Sequence, residues 1–214
     1  MERKTYQVHL EKNTNISMDV IPGHFSTGHF HTNYFLDVSE LKSNAKLARE
    51  VARELALPYF STTAVDTIVC IENTKVIGAY LAEELLAEGT AVMNEGGEIH
   101  VVTFKNAPDG KLIFYDNEVK LITNKNILFL TTTVSSGQSV KGALECLSYY
   151  GGRVAGISSL FLFSGAELDG REVKTLFTSD DIPGYRVYDA DECGLCKAGH
   201  PLEALISSEG YKKI

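Results

Sequence analysis

The stretch from Ile127 to Gly151, ILFLTTTVSSGQSVKGALECLSYYG, constrains the fold more than any other. Apolar residues Ile127 to Leu130 run into the β-branched Thr131, Thr132, Thr133 and Val134, the pattern of a strand buried on both faces. Ser135, Ser136, Gly137, Gln138 and Ser139 then form a short polar loop, beyond which Val140, Ala143, Leu144, Leu147 and Tyr150 fall at helical spacing. The loop therefore joins a strand end to a helix start, where free backbone N–H groups and the positive end of the helix dipole gather. It is either a phosphate cradle or an N-cap with a tight turn. The residues alone leave both readings open.

The same pattern recurs upstream. Asp66 to Ile71 reads as a buried strand, Glu72, Asn73, Thr74 and Lys75 as a loop, and Ile77, Leu81 and Leu85 as one face of a helix. Glu98 to Phe104 and Arg153 to Phe163 are further strands, and Leu47, Val51 and Leu55 mark an amphipathic helix over Ser43 to Ala56. Strands alternating with helices predict an α/β fold with a doubly wound, mainly parallel sheet. Ligands bind such sheets at the carboxyl ends of the strands, so the loops at 72–75 and 135–139 converge on one crevice. Between Phe104 and Ile127, Pro108-Asp109-Gly110 and Asp116-Asn117 flank short apolar runs, which predicts a hairpin or flap, either a lid or a surface excursion. The first 40 residues read as irregular, and the tail after Gly184 as turns with a short helix.

With 214 residues, 44% of them hydrophobic, the chain has the size of one domain with its own core. Its formal charge of −8 argues against an extended nucleic-acid or anionic-membrane surface. No apolar run approaches a membrane span, and the N-terminus lacks a signal core, so a cytoplasmic location is expected. Cys70 and Cys146 fall in predicted elements as small buried hydrophobes. Cys193 and Cys196 form a C-x-x-C that reads as structural or incidental; half a zinc site with His200, or a redox pair, are its other readings. His29 and His31 could share a strand face and recruit a metal, but two ligands make a weak site. No metal ligand set is therefore assigned.

The chain resembles the type I phosphoribosyltransferases, in particular the orotate phosphoribosyltransferase branch. ILFLTTTVSSGQS is similar to that family's phosphoribosyl pyrophosphate (PRPP) motif, GHFSTGHFHTNYFLD to its N-terminal base-pocket segment, and DECGLCKAGHPLEALISSEGYKKI to a C-x-x-C tail of many bacterial members. The resemblance implies a five-stranded, mainly parallel sheet in a single domain over 1–214. An N-terminal hood and helix region would span 1–60, a sheet core 61–180 with a flap at 105–126, and a tail 181–214. It also implies a homodimer, a nucleotide or PRPP as small-molecule partner, and Mg2+ if PRPP is the substrate. No nucleic acid or membrane partner is expected.

Carried over by position, Ser135 to Ser139 hold the 5'-phosphate, Thr131 and Thr132 the ribose, Glu72 to Lys75 the pyrophosphate, and Tyr34 and Phe35 the base. Lys105 is the candidate catalytic lysine of the flap, and Lys111 is a second candidate for reaching into a closed site. The chain departs from the pattern at the acidic pair, which is replaced by Thr131 and Thr132. Losing an anion beside a developing oxocarbenium ion removes about 3 kcal/mol, roughly a hundredfold in rate. The pyrophosphate loop also lacks its glycines, and one flap lysine is kept where several are usual. The monophosphate cradle persists. The chain is thus expected to bind a ribose 5'-phosphate ligand, either PRPP or a nucleoside monophosphate, and to transfer the phosphoribosyl group to orotate or another base if active. The alternative is an inactive nucleotide-binding or regulatory module.

Overall fold

The computed structural model describes residues 4–27, 30–87, 93–108, 110–166, 168–207 and 210–214. The chain opens with strands β1 (Tyr6–Leu10), β2 (Asn13–Ser26) and β3 (Phe30–Asp37), then helices α1 (Ser39–Ser43) and α2 (Ala45–Ala56). The central part runs β4 (Thr67–Cys70), α3 (Lys75–Leu86), β5 (His100–Thr103), the pair β6 (Lys105–Asn106) and β7 (Leu112–Ile113), α4 (Asp116–Val119), β8 (Asn126–Val134), α5 (Gln138–Tyr149), β9 (Arg153–Leu162) and β10 (Lys174–Thr178). It ends in β11 (Val187–Asp189), α6 (Gly194–Lys197), β12 (Ala204–Ser207) and β13 (Gly210–Lys213).

The central sheet has five strands in the order β10-β9-β8-β4-β5, every pairing parallel. Its centre is apolar on both faces. Along β8, Leu128 and Leu130 enter a core shared with α2 and α3, whereas Ile127 and Phe129 enter one shared with α5. All four are fully buried, so the alternation of a strand sorts one uninterrupted apolar run into two cores. Each such burial contributes roughly 1.5–3 kcal/mol. Helix α2 starts where the Asn44 side chain accepts from the amides of Lys46 and Leu47, and buries Ala48, Val51, Ala52 and Leu55. The strand order reverses between β4 and β8, which makes the gap beyond their carboxyl ends the topological switch point.

The two chain ends depart from the sequence reading. The first 40 residues are not irregular: β2 and β3 form an antiparallel pair, flanked by β1 on β2 and by β11 on β3. Ile16, Met18 and Val20 alternate inward along β2. The pairing shifts between Pro22 and Phe25, where a proline has no N–H for the ladder. The tail has its short helix, α6, but also strands: β12 lies parallel to β2, and β13 folds back on it. The hairpin between Phe104 and Ile127 is present as β6 and β7, packed against α5, where the Cys146 thiol meets the Leu112 carbonyl at 3.2 Å. Among the described residues, no helix is long and apolar enough to cross a membrane.

Helix α3 sits tightly on β4 at Gly78, where an added Cβ would overlap the Cys70 sulfur and lie 3.2 Å from Val101 Cγ1. Burial pushes that thiol's pKa up to about 12, so Cys70 is an inert filler. Alanine at 78 gains about 1 kcal/mol of helix propensity but overpacks the core at about 1–3 kcal/mol. Gly78→Ala is expected to lower the urea unfolding midpoint; a raised midpoint would show that α3 can move off the sheet.

Candidate functional site

At the end of β4 the backbone turns through Glu72 (φ 55°) and Asn73 (φ 62°), both in the left-handed region without being glycine. That conformation costs roughly 1–2 kcal/mol per residue, and Asn tolerates it better than Glu. The cost at Glu72 is offset by its contacts. Its Oε2 accepts from the Thr132 amide at 3.1 Å, the Thr133 amide at 3.0 Å and the Thr131 hydroxyl at 3.0 Å. Its carbonyl accepts from the Thr132 hydroxyl at 2.9 Å and the Lys42 ammonium at 3.2 Å. Thr74 closes the turn, its hydroxyl directed at the Ile71 carbonyl at 2.7 Å and the Leu130 carbonyl at 3.2 Å.

The polar loop beyond β8 turns at Gly137 (φ 85°), the N-cap of α5, and no side chain caps that helix. The Gln138 amide is 3.4 Å from the Ser136 hydroxyl. A left-handed N-cap is open to glycine at little cost, and the first-turn amides of α5 point out of the helix end. These residues form one end of a cavity of about 320 Å³. Thr132, Thr133, Glu72, Asp37 and Lys42 line its middle, and Tyr34, Phe35 and Tyr185 its aromatic part. Ile206, Ser207 and Gly210 of the C-terminal hairpin complete the wall. Tyr34 stacks on Tyr185, centroids 6.2 Å apart and planes 11° from parallel, and its hydroxyl donates to the Pro183 carbonyl at 3.2 Å. Burial raises the Tyr185 pKa, so this phenol stays protonated and neutral. Burial lowers the Lys42 pKa, and the charges of Glu72 and Asp37 partly oppose that shift.

Ser135, Ser136, Gly137, Gln138 and Ser139 all line the cavity, as do Tyr34 and Phe35. The two threonines divide: Thr132 lines it, whereas Thr131 is fully buried with its hydroxyl committed to Glu72. Of residues 72–75 only Glu72 lines it; Asn73, Thr74 and Lys75 do not. Lys105 stands apart, 3.9 Å from the Glu118 carboxylate and 5.9 Å from the Tyr115 ring centroid. No described residue of 105–126, Lys111 included, lines the cavity, because the hairpin packs on α5 instead. Asp109, at the predicted turn, lies outside the described residues.

Lys42 and Asp37 escaped the sequence reading. Asp37 ends β3 and accepts from the Ser39 amide at 2.9 Å, and this Asp-x-Ser turn signal was available. The C-x-x-C expectation also changes. Cys193 and Cys196 meet His24 and His31, all four ligand atoms within 4.8 Å of one another, while His200 contributes its backbone carbonyl to His24. His29 lies outside the described residues.

The parallel sheet wound β5-β4-β8-β9-β10, with a Ser-Gly loop at its switch point, can be set against known proteins. The orotate phosphoribosyltransferase of Mycobacterium tuberculosis, solved with Fe(III) dicitrate, superposes with a TM-score of 0.53 at 14% identity, over 76% of this chain and 90% of that one. The fold is that of the type I phosphoribosyltransferases. The adenine phosphoribosyltransferase of Thermoanaerobacter pseudethanolicus superposes with a TM-score of 0.50 at 15% identity, over 81% of this chain and 95% of its own. The type I fold thus hosts purine and pyrimidine enzymes alike and does not choose the base. In sequence, the chain is similar to the orotate phosphoribosyltransferase of Caldicellulosiruptor saccharolyticus, 24% identical over 206 residues, which are 94% of this chain and 95% of that protein. No family model matches the chain.

Because Glu72 Oε2 serves two backbone amides and a buried hydroxyl, Glu72→Ala is expected to cost about 2–3 kcal/mol of stability, measured by chemical denaturation, as hydrogen bonds to charged groups do. Glu72→Gln keeps an acceptor oxygen and should recover part of the loss. Equal losses for both would mean that the negative charge itself, and not the acceptor, holds the turn.

Proposed function

We propose that this orotate phosphoribosyltransferase-like protein binds a ribose 5'-phosphate ligand in the cavity at the switch point, a nucleoside monophosphate in preference to PRPP. The phosphate lies against the amides and hydroxyls of Ser135 to Ser139, the ribose at Thr132, and the base toward Tyr34 and Phe35. The observation that carries this reading is the layout of one cavity, with an uncapped helix start and its Ser-Gly loop at one end and aromatic rings at the other. At about 320 Å³ it is near the lower bound of ligand pockets, which run from about 300 to 1,000 Å³. Lys42 is the one Lys or Arg among the described lining residues, beside the carboxylates Asp37 and Glu72. That balance suits a single phosphate with amide donors better than a phosphate and a diphosphate together. With PRPP, Mg2+ would shield the diphosphate, and Asp37 and Glu72 are the hard oxygen donors available to it.

A second reading, phosphoribosyl transfer to orotate or another base, is favoured by Glu72. Its carboxylate rests on residues 131–133, the stretch where the resemblance places the missing acidic pair. An anion delivered from β4 would restore the electrostatic term that Thr131 and Thr132 cannot supply. In that case Glu72→Gln lowers pyrophosphate release from PRPP with magnesium and base by about a hundredfold, an interaction of about 3 kcal/mol. Absence of pyrophosphate release with a panel of bases that includes orotate removes the transferase reading for those bases and leaves the binding module.

Calorimetric titration with uridine and orotidine 5'-monophosphates, ribose 5-phosphate, and PRPP with and without magnesium tests the site. Binding of a 5'-monophosphate that is lost in Gly137→Asp and weakened in Ser136→Ala is the expected result. No binding of any of these, or binding indifferent to both substitutions, overturns the assignment. Lys42→Ala should weaken binding as well. Because burial lowers the Lys42 pKa, its contribution is present while the amine is charged and is lost as pH rises, at a pH below the ordinary lysine range. The affinity of Lys42→Ala should lack that limb. Sedimentation of the same preparations tests the homodimer that the resemblance implies.

A further inference from the structure

Away from the nucleotide cavity, four ligand-type side chains from three chain segments converge. His24 comes from β2, His31 from β3, and Cys193 and Cys196 from the N-cap and body of α6. His24, His31 and Cys193 are buried, and Cys196 closes the cluster toward solvent. The His24 Nε2 lies 3.2 Å from His31 Nδ1, 3.4 Å from Cys193 Sγ and 3.7 Å from Cys196 Sγ, and His31 Nδ1 lies 3.4 Å from Cys196 Sγ. A tetrahedron with metal–sulfur bonds near 2.3 Å and metal–nitrogen bonds near 2.0–2.1 Å has N···N edges of about 3.3 Å and N···S edges of about 3.6 Å. The four separations match those edges to within a few tenths of an ångström.

The tautomer points the same way. His24 Nδ1 is 2.9 Å from the His200 carbonyl, an acceptor, so Nδ1 carries the proton and donates. Nε2 is then a bare lone pair aimed at a second imidazole nitrogen and two sulfurs. A carbonyl that fixes the far ring nitrogen is the usual support of a metal-bound histidine. Thiol and imidazole protons can be shared within the neutral cluster, but a dication that replaces the two thiol protons engages all four ligand atoms at once.

We propose that His24 Nε2, His31 Nδ1, Cys193 Sγ and Cys196 Sγ bind one Zn2+ as a closed tetrahedral site. The two thiols lose their protons to solvent on binding, and the two positive charges of the metal are balanced by two thiolates. With four protein ligands and no open position the site is structural. It ties β2 and β3 to the segment that leads into β12, whose Ala204 and Leu205 pair with Phe25 and Ser26, immediately after His24. Residues 206, 207 and 210 of that hairpin wall the nucleotide cavity. The zinc therefore holds one wall of the cavity without touching its ligand.

The full-length protein, reduced and stripped by a chelator, should take up one equivalent of Zn2+ by equilibrium dialysis with elemental analysis. Its melting temperature should rise by several degrees on reloading. Co2+ in place of zinc should give the intense d–d bands of a tetrahedral site and a thiolate-to-metal charge-transfer band. Cys196→Ser, an exposed position, should weaken uptake by at least a hundredfold and lose part of the charge-transfer intensity. The Co2+ spectrum of the unsubstituted chain decides the matter even if that variant fails to fold. No tight equivalent in the reduced protein, an octahedral Co2+ spectrum, or uptake unchanged in Cys196→Ser would each overturn the assignment. So would a Cys193–Cys196 disulfide that forms in the presence of excess zinc.

Discussion

A single carboxylate joins the two strands on which the cavity is built. Strands β4 and β8 pair in register as far as Cys70 and Leu130, and the Ile71 amide makes one more bond to the Leu130 carbonyl at 3.0 Å. Beyond that point β8 continues against β9 alone, and the amides of Thr132 and Thr133 have no strand on the β4 side. Glu72 supplies the acceptor from its side chain, continuing the ladder after the backbone has turned away. The left-handed turn at Glu72 and Asn73 is the conformation that brings this carboxylate back over β8. The Lys42 ammonium donates to the Glu72 carbonyl at the same turn. Without the carboxylate two backbone amides and the Thr131 hydroxyl would lose their acceptor.

What the sequence made legible follows from where the information sits along the chain. β4, β8, β9, α2, α3 and α5 are each specified by the periodicity of their own residues, and the parallel character of the sheet follows from alternating strands and helices. The loop at 135–139 is equally local. Glu72 with Thr132 and Thr133 is not: those partners are about 60 positions apart, and no local pattern encodes a side chain reaching across a switch point. The alternation of Ile16, Met18 and Val20 was there to be read, but Pro22 and Gly23 break the strand signal where the ladder shifts. Strands of three or four residues, such as β11 and β12, carry too little periodicity to stand out. The role of Lys105 rests on resemblance alone, and the hairpin that packs on α5 leaves that lysine outside the cavity lining.

The two sheets divide the labour of the molecule. The parallel sheet is stabilised by apolar burial on both faces and presents its loops at one end. The second sheet, made from β1, β2, β3, β11, β12 and β13, supplies part of the cavity's aromatic lining and its rim. Phe35 shows the join: it packs against Phe25 and Tyr211, centroids 6.1 and 4.9 Å away, so strands from both ends of the chain position a cavity residue. A ligand bridging loop 135–139 and Tyr34 would rest on elements that fold by different rules, one by local α/β winding and the other by long-range β pairing.

The long-range pairing of β12 with β2 sets an order of events during synthesis. The parallel sheet, the Ser-Gly loop and the Glu72 turn are all complete once β10 has left the ribosome. Residues 204–213 come later, and until they add to the edge of β2 the cavity lacks part of its wall. A nascent chain paused before that point would hold a finished Ser-Gly loop beside an unfinished wall, with Phe25 and Ser26 at the edge of β2 open to another strand. The cavity is thus closed by the last segment of the sheet, and a chain nicked near residue 200 would keep its parallel core while losing that wall.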